Sequence, residues 1–529
     1  MKRCNSVRAA GVVRIAGVTL ALLALNAAGV AAEGQKDQGA STPSGFNQTG
    51  FPIMKEAVTL KLTGLERPDR KVEENLFYKR MAAKTNINFE YSVYDANAWP
   101  EKKNLIFASG DLPDVFFKAG FSSLEEMKFG EQGLLIPLEG LIQKNTPSLA
   151  AIMKADPTVA KAITLPSGKI VALPMIQRPD GQTHMPFNIK WLEKVGMAMP
   201  KTTDDLYKVL KAFKEQDANG NGDPNDEVPL SLTNAGQVKI VMGWWGLLFN
   251  EVNVFVNDAG KVLYSPAQNE YKEGLKFMAR LYSEGLLEKN IFTITPQQQN
   301  AVGQNNQLGA FITAGAFLQV TEKYHFDYRG LEPFPYNGKR LWILGVPKVT
   351  RGTFAISNKS KHADALMRWV DFLYTEEGAR LVWAGIEGEE YKFNPDGTWD
   401  WLLKPGQQQN DLRVPRTIQG YAQVPGIRPD DFWAKINNKY EGSLGEMRGP
   451  SNNHARLPFP LVYFDAEAQK KLNTFHSDLG RYVDEFMAKA IVGAVDIDKE
   501  WPAYVSTLER MGMKEVVDIY QKKYADYTK

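Results

Sequence analysis

Residues 108–117 read Ala-Ser-Gly-Asp-Leu-Pro-Asp-Val-Phe-Phe. A glycine–aspartate turn and a proline end whatever precedes them, and Val115-Phe116-Phe117 is then a short unbroken apolar run. A strand with one wet face alternates apolar and polar residues. An unbroken run is a strand covered on both faces, the position of a parallel strand inside an α/β sheet. The residues upstream agree. Val58-Thr59-Leu60-Lys61-Leu62 alternates as a strand, Asn75 to Lys84 reads as a helix, and Asn88 to Val93 as a second strand. Strand, helix, strand, helix, strand predicts an α/β fold.

With 529 residues the chain is too long for one core, and two or three structural units are expected. Gly168 to Pro174 reads as a strand that ends at a proline-containing connection, where the chain first crosses between lobes. Ile189 to Val195 starts a helix that Gly196 ends. Thr202-Thr203-Asp204-Asp205 caps another, whose Leu206, Val209, Leu210 and Phe213 fall at i, i+3, i+4 and i+7 on one face. Val228 to Leu232 is a strand, and Val254–Val256 with Val262–Tyr264 form a hairpin around Asn257-Asp258-Ala259-Gly260. A helix over Glu270 to Leu281 packs through Tyr271, Leu275, Met278 and Tyr282; the Gln-rich stretch 297–307 is a connection or helix start. Leu308 to Ile312 is a strand expected to return to the first lobe, and Gly352 to Ile356 a later strand. His362 to Leu373 and the tail from Glu467 are helical, and Trp369 and Trp501 fall on their apolar stripes. These readings place a first lobe at 56–175 with 308–360, a second lobe at 176–307, and a mostly helical segment, 361–529, shared between them.

The amino terminus reads as a processing segment. Lys2, Arg3, Arg8 and Arg14 precede the 11-residue apolar run Ile15 to Leu25, and Val30-Ala31-Ala32 offers a small-residue cleavage pattern. The run is short for a bilayer span, so a signal peptide over 1–32 and an exported, periplasmic or extracellular, protein are expected. Residues 33–55 read as a flexible linker, with the folded part beginning near Ala57. Cleavage discards four positive and no negative charges, taking the formal net charge from +2 to −2. A nearly neutral mature chain argues against a nucleic-acid partner. The single cysteine, Cys4, leaves with the segment, so the mature chain has no disulfide and no thiolate metal site. Ala stands where a lipid-bearing Cys would follow the apolar run, so the protein reads as free rather than lipid-anchored.

Residues 217–227 read Asp-Ala-Asn-Gly-Asn-Gly-Asp-Pro-Asn-Asp-Glu. Oxygen-bearing side chains recur at alternate positions, Asp217, Asn219, Asn221, Asp223 and Asn225, with Gly222 sixth and Asp226 and Glu227 closing the run. A hard cation such as Ca²⁺ needs six to eight oxygens gathered by a sharp turn, which this pattern provides. The twelfth position, where a bidentate Glu belongs, is Val228. A metal-free Asx-rich turn is the competing reading, since the same residues crowd ordinary turns. For catalysis the sequence supplies little: the five histidines make no HExxH, and there is no Gly-x-Ser-x-Gly elbow and no Walker loop.

Several aromatic residues fall in expected loops: Trp99 beside a proline, Trp244-Trp245 between glycines, and Phe317, Trp342, Trp383, Tyr391 and Trp399. Aromatic faces suit the apolar C–H faces of sugar rings, although each such residue is as readily a core residue. Ala108 to Val115, Gly133 to Leu138, Pro166 to Ile170 with Leu173-Pro174, Trp191 to Gly196, Leu281 to Leu286 and Gly385 to Tyr391 together resemble family 1 extracellular solute-binding proteins of ABC importers. Within that family the 217–227 loop is most similar to the calcium-containing alginate- and glycosaminoglycan-oligosaccharide binders. The resemblance covers the mature chain in order. It implies a two-lobe α/β periplasmic-binding-protein fold, type II-like, with a multi-strand hinge and a helical C-terminal region. It also implies lobe closure on an oligosaccharide, delivery to membrane permease subunits, a monomer, and a structural cation remote from the sugar. The ligand residues so expected are Lys118, Gln177, Arg178, Trp244, Trp245 and Phe317, to which the loop aromatics add Trp342 and Tyr391, with Arg178 and Lys118 pairing with carboxylates if the sugar is acidic. Gly315 departs from the alginate binders, which carry a tryptophan there. The rival class is a secreted polysaccharide lyase or glycoside hydrolase.

Overall fold

The computed structural model describes residues 45–529 apart from 182, 224, 420–422 and 439. The expected signal peptide and most of the linker lie outside the described residues. Along the chain the strands are β1 (Val58–Leu65), β2 (Ile87–Tyr94), β3 (Val115–Phe117), β4 (Leu173–Ile176), β5 (Pro186–Asn188), β6 (Val228–Ser231), β7 (Val254–Val256), β8 (Val262–Tyr264), β9 (Leu308–Phe311), β10 (Tyr328–Gly330), β11 (Trp342–Ile343), β12 (Val349–Ile356), β13 (Tyr391–Phe393), β14 (Trp399–Trp401), β15 (Gly426–Ile427) and β16 (Ala455–Arg456).

Six of them form one sheet in the order β15-β4-β12-β3-β1-β2. β3 is buried at all three residues and runs parallel to β1, as its unbroken apolar run predicts. β12 is antiparallel to both neighbours, so its amino end shares an edge with the carboxyl ends of β4 and β15. β1 can approach β3 only because residue 64 is glycine: a Cβ there would stand 1.7 Å from the Phe117 carbonyl oxygen. Helices at Leu76–Thr85 and Ala363–Asp371 cover the sheet, and Trp369 packs edge-on against Phe77, Phe89 and Phe117.

The second sheet is β10-β5-β9-β6, with β9 parallel to β6 and antiparallel to β5. This corrects the expectation for Leu308 to Ile312: β9 lies in the second lobe. Its neighbours are β6 and β5, and its Leu308 and Phe311 belong to a local core with Tyr328 and Met447. The helix Thr203–Glu215 buries the predicted stripe, with Phe213 edge-on to Trp191 at 5.2 Å, and Thr202 caps it by accepting from Asp205 N at 3.0 Å. The Gln-rich stretch is the helix Pro296–Gln304, closed by a Thr295/Gln298 capping box.

The stretch 361–529 divides rather than being shared evenly. Trp369 and its helix belong to the first core, whereas helices Ala466–Ile491, Ile497–Arg510 and Met513–Tyr527 bury Leu479, Val483, Trp501 and Leu508 in the second. The folded part also begins earlier than Ala57. Phe46 bridges Met54, Ile53 is buried, and Arg368 donates to the carbonyls of Asn47 and Gly50. Among the described residues, the chain passes between the two lobes at 177–181 and 183–185, at 344–348 and at 457–465.

Candidate functional site

Sheets of this kind bind ligands beyond the carboxyl ends of their strands. At that edge of the first sheet, Met175 lies near the end of β4 and Gln177 follows it, Arg428 follows β15, and Thr350 and Arg351 open β12. Together with Trp383, at the end of helix Glu376–Trp383, they line one side of a cavity of about 950 Å³. The second lobe contributes Phe249, Asn250, Glu251 and Tyr520, and the crossing segments 343–347 and 457–462 complete the wall. The cavity is therefore built from both lobes and their connections, at the upper end of the size range for small-molecule sites.

Its chemistry is amphipathic. The Arg428 guanidinium lies 5.6 Å from the Trp383 ring centre and 3.3 Å from Asp430 Oδ1. Gln177, Asn250, Gln423 and Gln469 add amides that both donate and accept. The ionisable lining is Arg351, Arg428 and Glu251, a balance of one positive charge. Arg351 is held in place: it stacks 4.2 Å from the Tyr463 ring centre and donates to the Val462 carbonyl at 3.2 Å. Tyr463 in turn donates to Glu126 Oε2 at 2.7 Å, and burial pushes the Glu126 carboxyl up to about 7.

At the corresponding edge of the second sheet, the chain leaving β9 reaches Phe317, which is 40% exposed. Phe317 stacks on Tyr440 (5.6 Å, 26°), and Tyr440 stacks on Phe326 (5.8 Å, 14°). His325 wedges between them and is tied by Nε2 to Ser443 Oγ at 2.6 Å. The result is a braced aromatic platform.

The model of the family described as bacterial extracellular solute-binding proteins matches residues 68–380, more than half of the chain. This chain belongs to that family. Over 96% of its length this solute-binding protein is 28% identical to the fructooligosaccharide ABC transporter substrate-binding protein FusA of Streptococcus pneumoniae, covering 97% of that protein. It superposes on FusA in complex with kestose with a TM-score of 0.72 at 26% identity, covering 89% of this chain and 99% of that one. The polygalacturonan/rhamnogalacturonan-binding protein YtcQ of Bacillus subtilis is 22% identical over 84% of this chain and 87% of that protein. The alginate-binding protein AlgQ2, solved without calcium ion, shares the fold: TM-score 0.68 at 23% identity, covering 90% of this chain and 100% of that one.

The sequence-derived ligand residues of this solute-binding protein scatter. Gln177 lines the interlobe cavity, and Phe317 forms the exposed platform. Trp245 is half-buried and lines a separate groove. Arg178 is exposed but already paired with Asp431 at 2.6 Å, while its backbone N–H donates to Asp430. Lys118 is a correction: it is buried, with Nζ 2.9 Å from Glu66 Oε2, and burial lowers it to about 8. Its charge is matched internally, where Arg70 also meets Glu66 at 2.5 Å. Trp244, Trp342 and Tyr391 are packing residues. Trp244 lies against Phe334, Trp342 donates Nε1 to the Thr183 carbonyl at 2.7 Å, and Tyr391 is edge-on to Trp399 and Phe432. Neighbouring glycines made Trp244 look like a loop residue, but Gly243 serves a close backbone approach: a Cβ there would meet the Leu341 carbonyl at 2.4 Å. Arg351, Arg428, Asn250 and Gln423 carry no local signal, since pairings distant in sequence bring them together.

One constellation has the order of a hydrolytic triad. His184 Nδ1 lies 2.6 Å from Ser451 Oγ, and His184 Nε2 lies 3.6 Å from Asp180. Ser451 is 1% exposed and His184 is fully buried, so no substrate carbonyl reaches them. Their bond anchors helix Glu441–Asn452 to the crossing segment.

In the 217–227 loop, Gly222 takes φ +93° and donates to Asp217 Oδ2 at 3.2 Å, as the turn requires. Asn219 and Asn221 both donate to Asp226, and Gln307 reaches the same carboxylate at 2.7 Å. Asp217 Oδ1 and Glu227 Oε2 are buried without a hydrogen-bond partner. Burial raises the Glu227 carboxyl, and the neighbouring Asp226 and Asp217 charges add to the rise. Among the described residues no three His, Cys, Asp or Glu side chains converge at metal-ligating distance. The loop's donors are a mixed carboxylate and amide set, and two orphaned buried carboxylate oxygens fit a cation.

Proposed function

We propose that this protein is an exported substrate-binding component of an ABC importer, which captures an oligosaccharide between its lobes and delivers it to membrane permease subunits. The observation that carries this reading is the 950 Å³ cavity lined by both lobes and their connections, with Trp383 for a sugar face and four amides for hydroxyls. Gln177 belongs to this site. The Phe317–Tyr440 platform, at the corresponding edge of the second sheet, would offer a further aromatic face, and Arg178 and Trp245 are not among the cavity's lining. The balance of one positive charge accommodates a uronate as well as a neutral sugar. FusA and YtcQ, each described by an oligosaccharide or polysaccharide ligand, support the substrate class. Among the described residues no helix is long and apolar enough to cross a membrane.

Asp217, Asn219, Asn221, Asp223, Asp226 and Glu227 would hold a structural Ca²⁺. The ion would supply the positive charge that Asp217 Oδ1 and Glu227 Oε2 lack, stapling helix Thr203–Glu215 to β6. One FusA structure is named as that of an EF-hand mutant, which supports this reading.

Titration calorimetry with neutral and uronate-containing oligosaccharides tests the proposal. Binding that Trp383→Ala or Phe317→Ala weakens about tenfold supports it. Absence of binding across the panel would count heavily against it, and product release from a polysaccharide would favour the secreted-enzyme reading.

A further inference from the structure

A second groove, of about 390 Å³, lies on the second lobe and shares no lining residue with the interlobe cavity. Two aromatic rings, Trp245 and Tyr336, line it together with the apolar Leu247, Phe255, Leu263 and Leu341.

Both rings are set before any ligand arrives. Tyr336 opens a tight turn in which Tyr336 N–H donates to the Lys339 carbonyl at 2.7 Å and Lys339 N–H returns the bond at 3.0 Å. Asn337 and Gly338 take φ +49° and +76°, the two left-handed positions that such a turn needs. The Tyr336 ring then lies on the backbone of Gly246, where a Cβ would meet Cδ1 at 2.9 Å, and its hydroxyl donates to Glu270 Oε1 at 3.3 Å. Trp245 is held by Phe277 at 5.5 Å and by Gly274, whose Cβ would come within 3.2 Å of Trp245 Cε3. Rigid aromatic walls lose little freedom when a ligand binds.

The rim carries two acids and two bases, and they cancel. Asp258 accepts from Lys339 and, at 2.6 Å, from Arg456, while Glu270 accepts from Tyr336. No net charge is left to attract an ionic ligand. Polar groups remain in Asn257, Gln268 and Asn337. Apolar ring faces, planar polar partners and zero net charge fit a molecule with C–H faces and hydroxyls.

We infer that this groove is a second saccharide site, for one or two rings of a neutral sugar, held between Trp245 and Tyr336 and separate from the interlobe cavity.

The test uses the mature full-length protein, titrated into the millimolar range with kestose and with raffinose, both neutral. Wild type is expected to show a weak class of binding besides any tighter one. Trp245→Ala weakens that class about tenfold or more. Ala259→Trp, on the exposed turn at the rim, fills the groove without touching a core contact and removes the same class. Trp383→Ala leaves it unchanged. Absence of the weak class in wild type, or its survival in both groove variants with the thermal transition intact, would overturn the inference. Loss of a tighter, Trp383-dependent class would instead count against the interlobe site and leave this result standing.

Discussion

Glu126 offers a sharp test of how the lobes are joined. Its carboxyl is buried on helix Ser123–Glu131 of the first lobe and accepts from Tyr463, on the segment that crosses to the second. Burial raises it from 4.5 to about 7 against the opposing pull of the Tyr463 hydroxyl, Arg351 and the Gly352 backbone, with Glu125 adding a small upward push. A carboxyl raised in the folded state contributes stability that is complete below its unfolded value and is lost as pH rises through the folded one. The shift corresponds to a ceiling of about 3 kcal/mol. Glu126→Gln keeps an acceptor for Tyr463 but cannot ionise. Measured against that variant, so that other carboxylates cancel, wild type should lose about 3 kcal/mol between pH 4.5 and pH 8. A protein of this length has an unfolding entropy near 1 kcal/mol/K, so the variant's Tm should gain about 3 °C on wild type over that range. Differential scanning calorimetry of both proteins at several pH values reads this directly. A difference that stays flat with pH, or that moves in favour of wild type as pH rises, would refute the reasoning.

Chelating Ca²⁺ should lower the Tm by several degrees while leaving saccharide affinity of the still-folded protein nearly unchanged; a large loss of affinity without unfolding would place the 217–227 loop in the ligand site. Glu66→Gln, which strips two buried cations of their shared partner, should cost about 3–5 kcal/mol, and more than Lys118→Met, which leaves Arg70 paired; urea denaturation orders the two. Gly64→Ala should fail to give folded protein, because its Cβ would overlap the Phe117 carbonyl at 1.7 Å; a native-like Tm would show that β1 and β3 can separate cheaply.

Much of the fold was legible because it follows from local pattern. The unbroken run at Val115 to Phe117, the i, i+3, i+4, i+7 stripe from Leu206 to Phe213, and the hairpin at Val254 to Tyr264 all formed as read. Pairing between distant segments was not legible. β9 has the composition of any buried strand, and only its hydrogen bonds to β5 and β6 fix its lobe. The ligand residues suffered for the same reason. Trp244, Trp342 and Tyr391 carry the side chain that stacks on sugars and equally the one that fills cores, and burial is a property of neighbours rather than of composition. Lys118 was drawn towards an acidic sugar when its counter-ion, Glu66, lay 52 residues upstream at the end of a neighbouring strand. Gln177 lines the cavity because a strand end at a lobe crossing is a place in the topology, not just a residue type.

Capture between two lobes is the central claim, and the distance between the lobes is its direct measure. The mature chain is expected to have no cysteine, so Lys102→Cys on the first lobe and Lys211→Cys on the second, both exposed, give a clean spin-label pair. Pulsed electron resonance with saturating oligosaccharide should show the inter-label distance shorten and its distribution narrow, with Trp383→Ala needing about tenfold more sugar for the same change. An unchanged distance under calorimetrically proven saturation would contradict closure on the ligand.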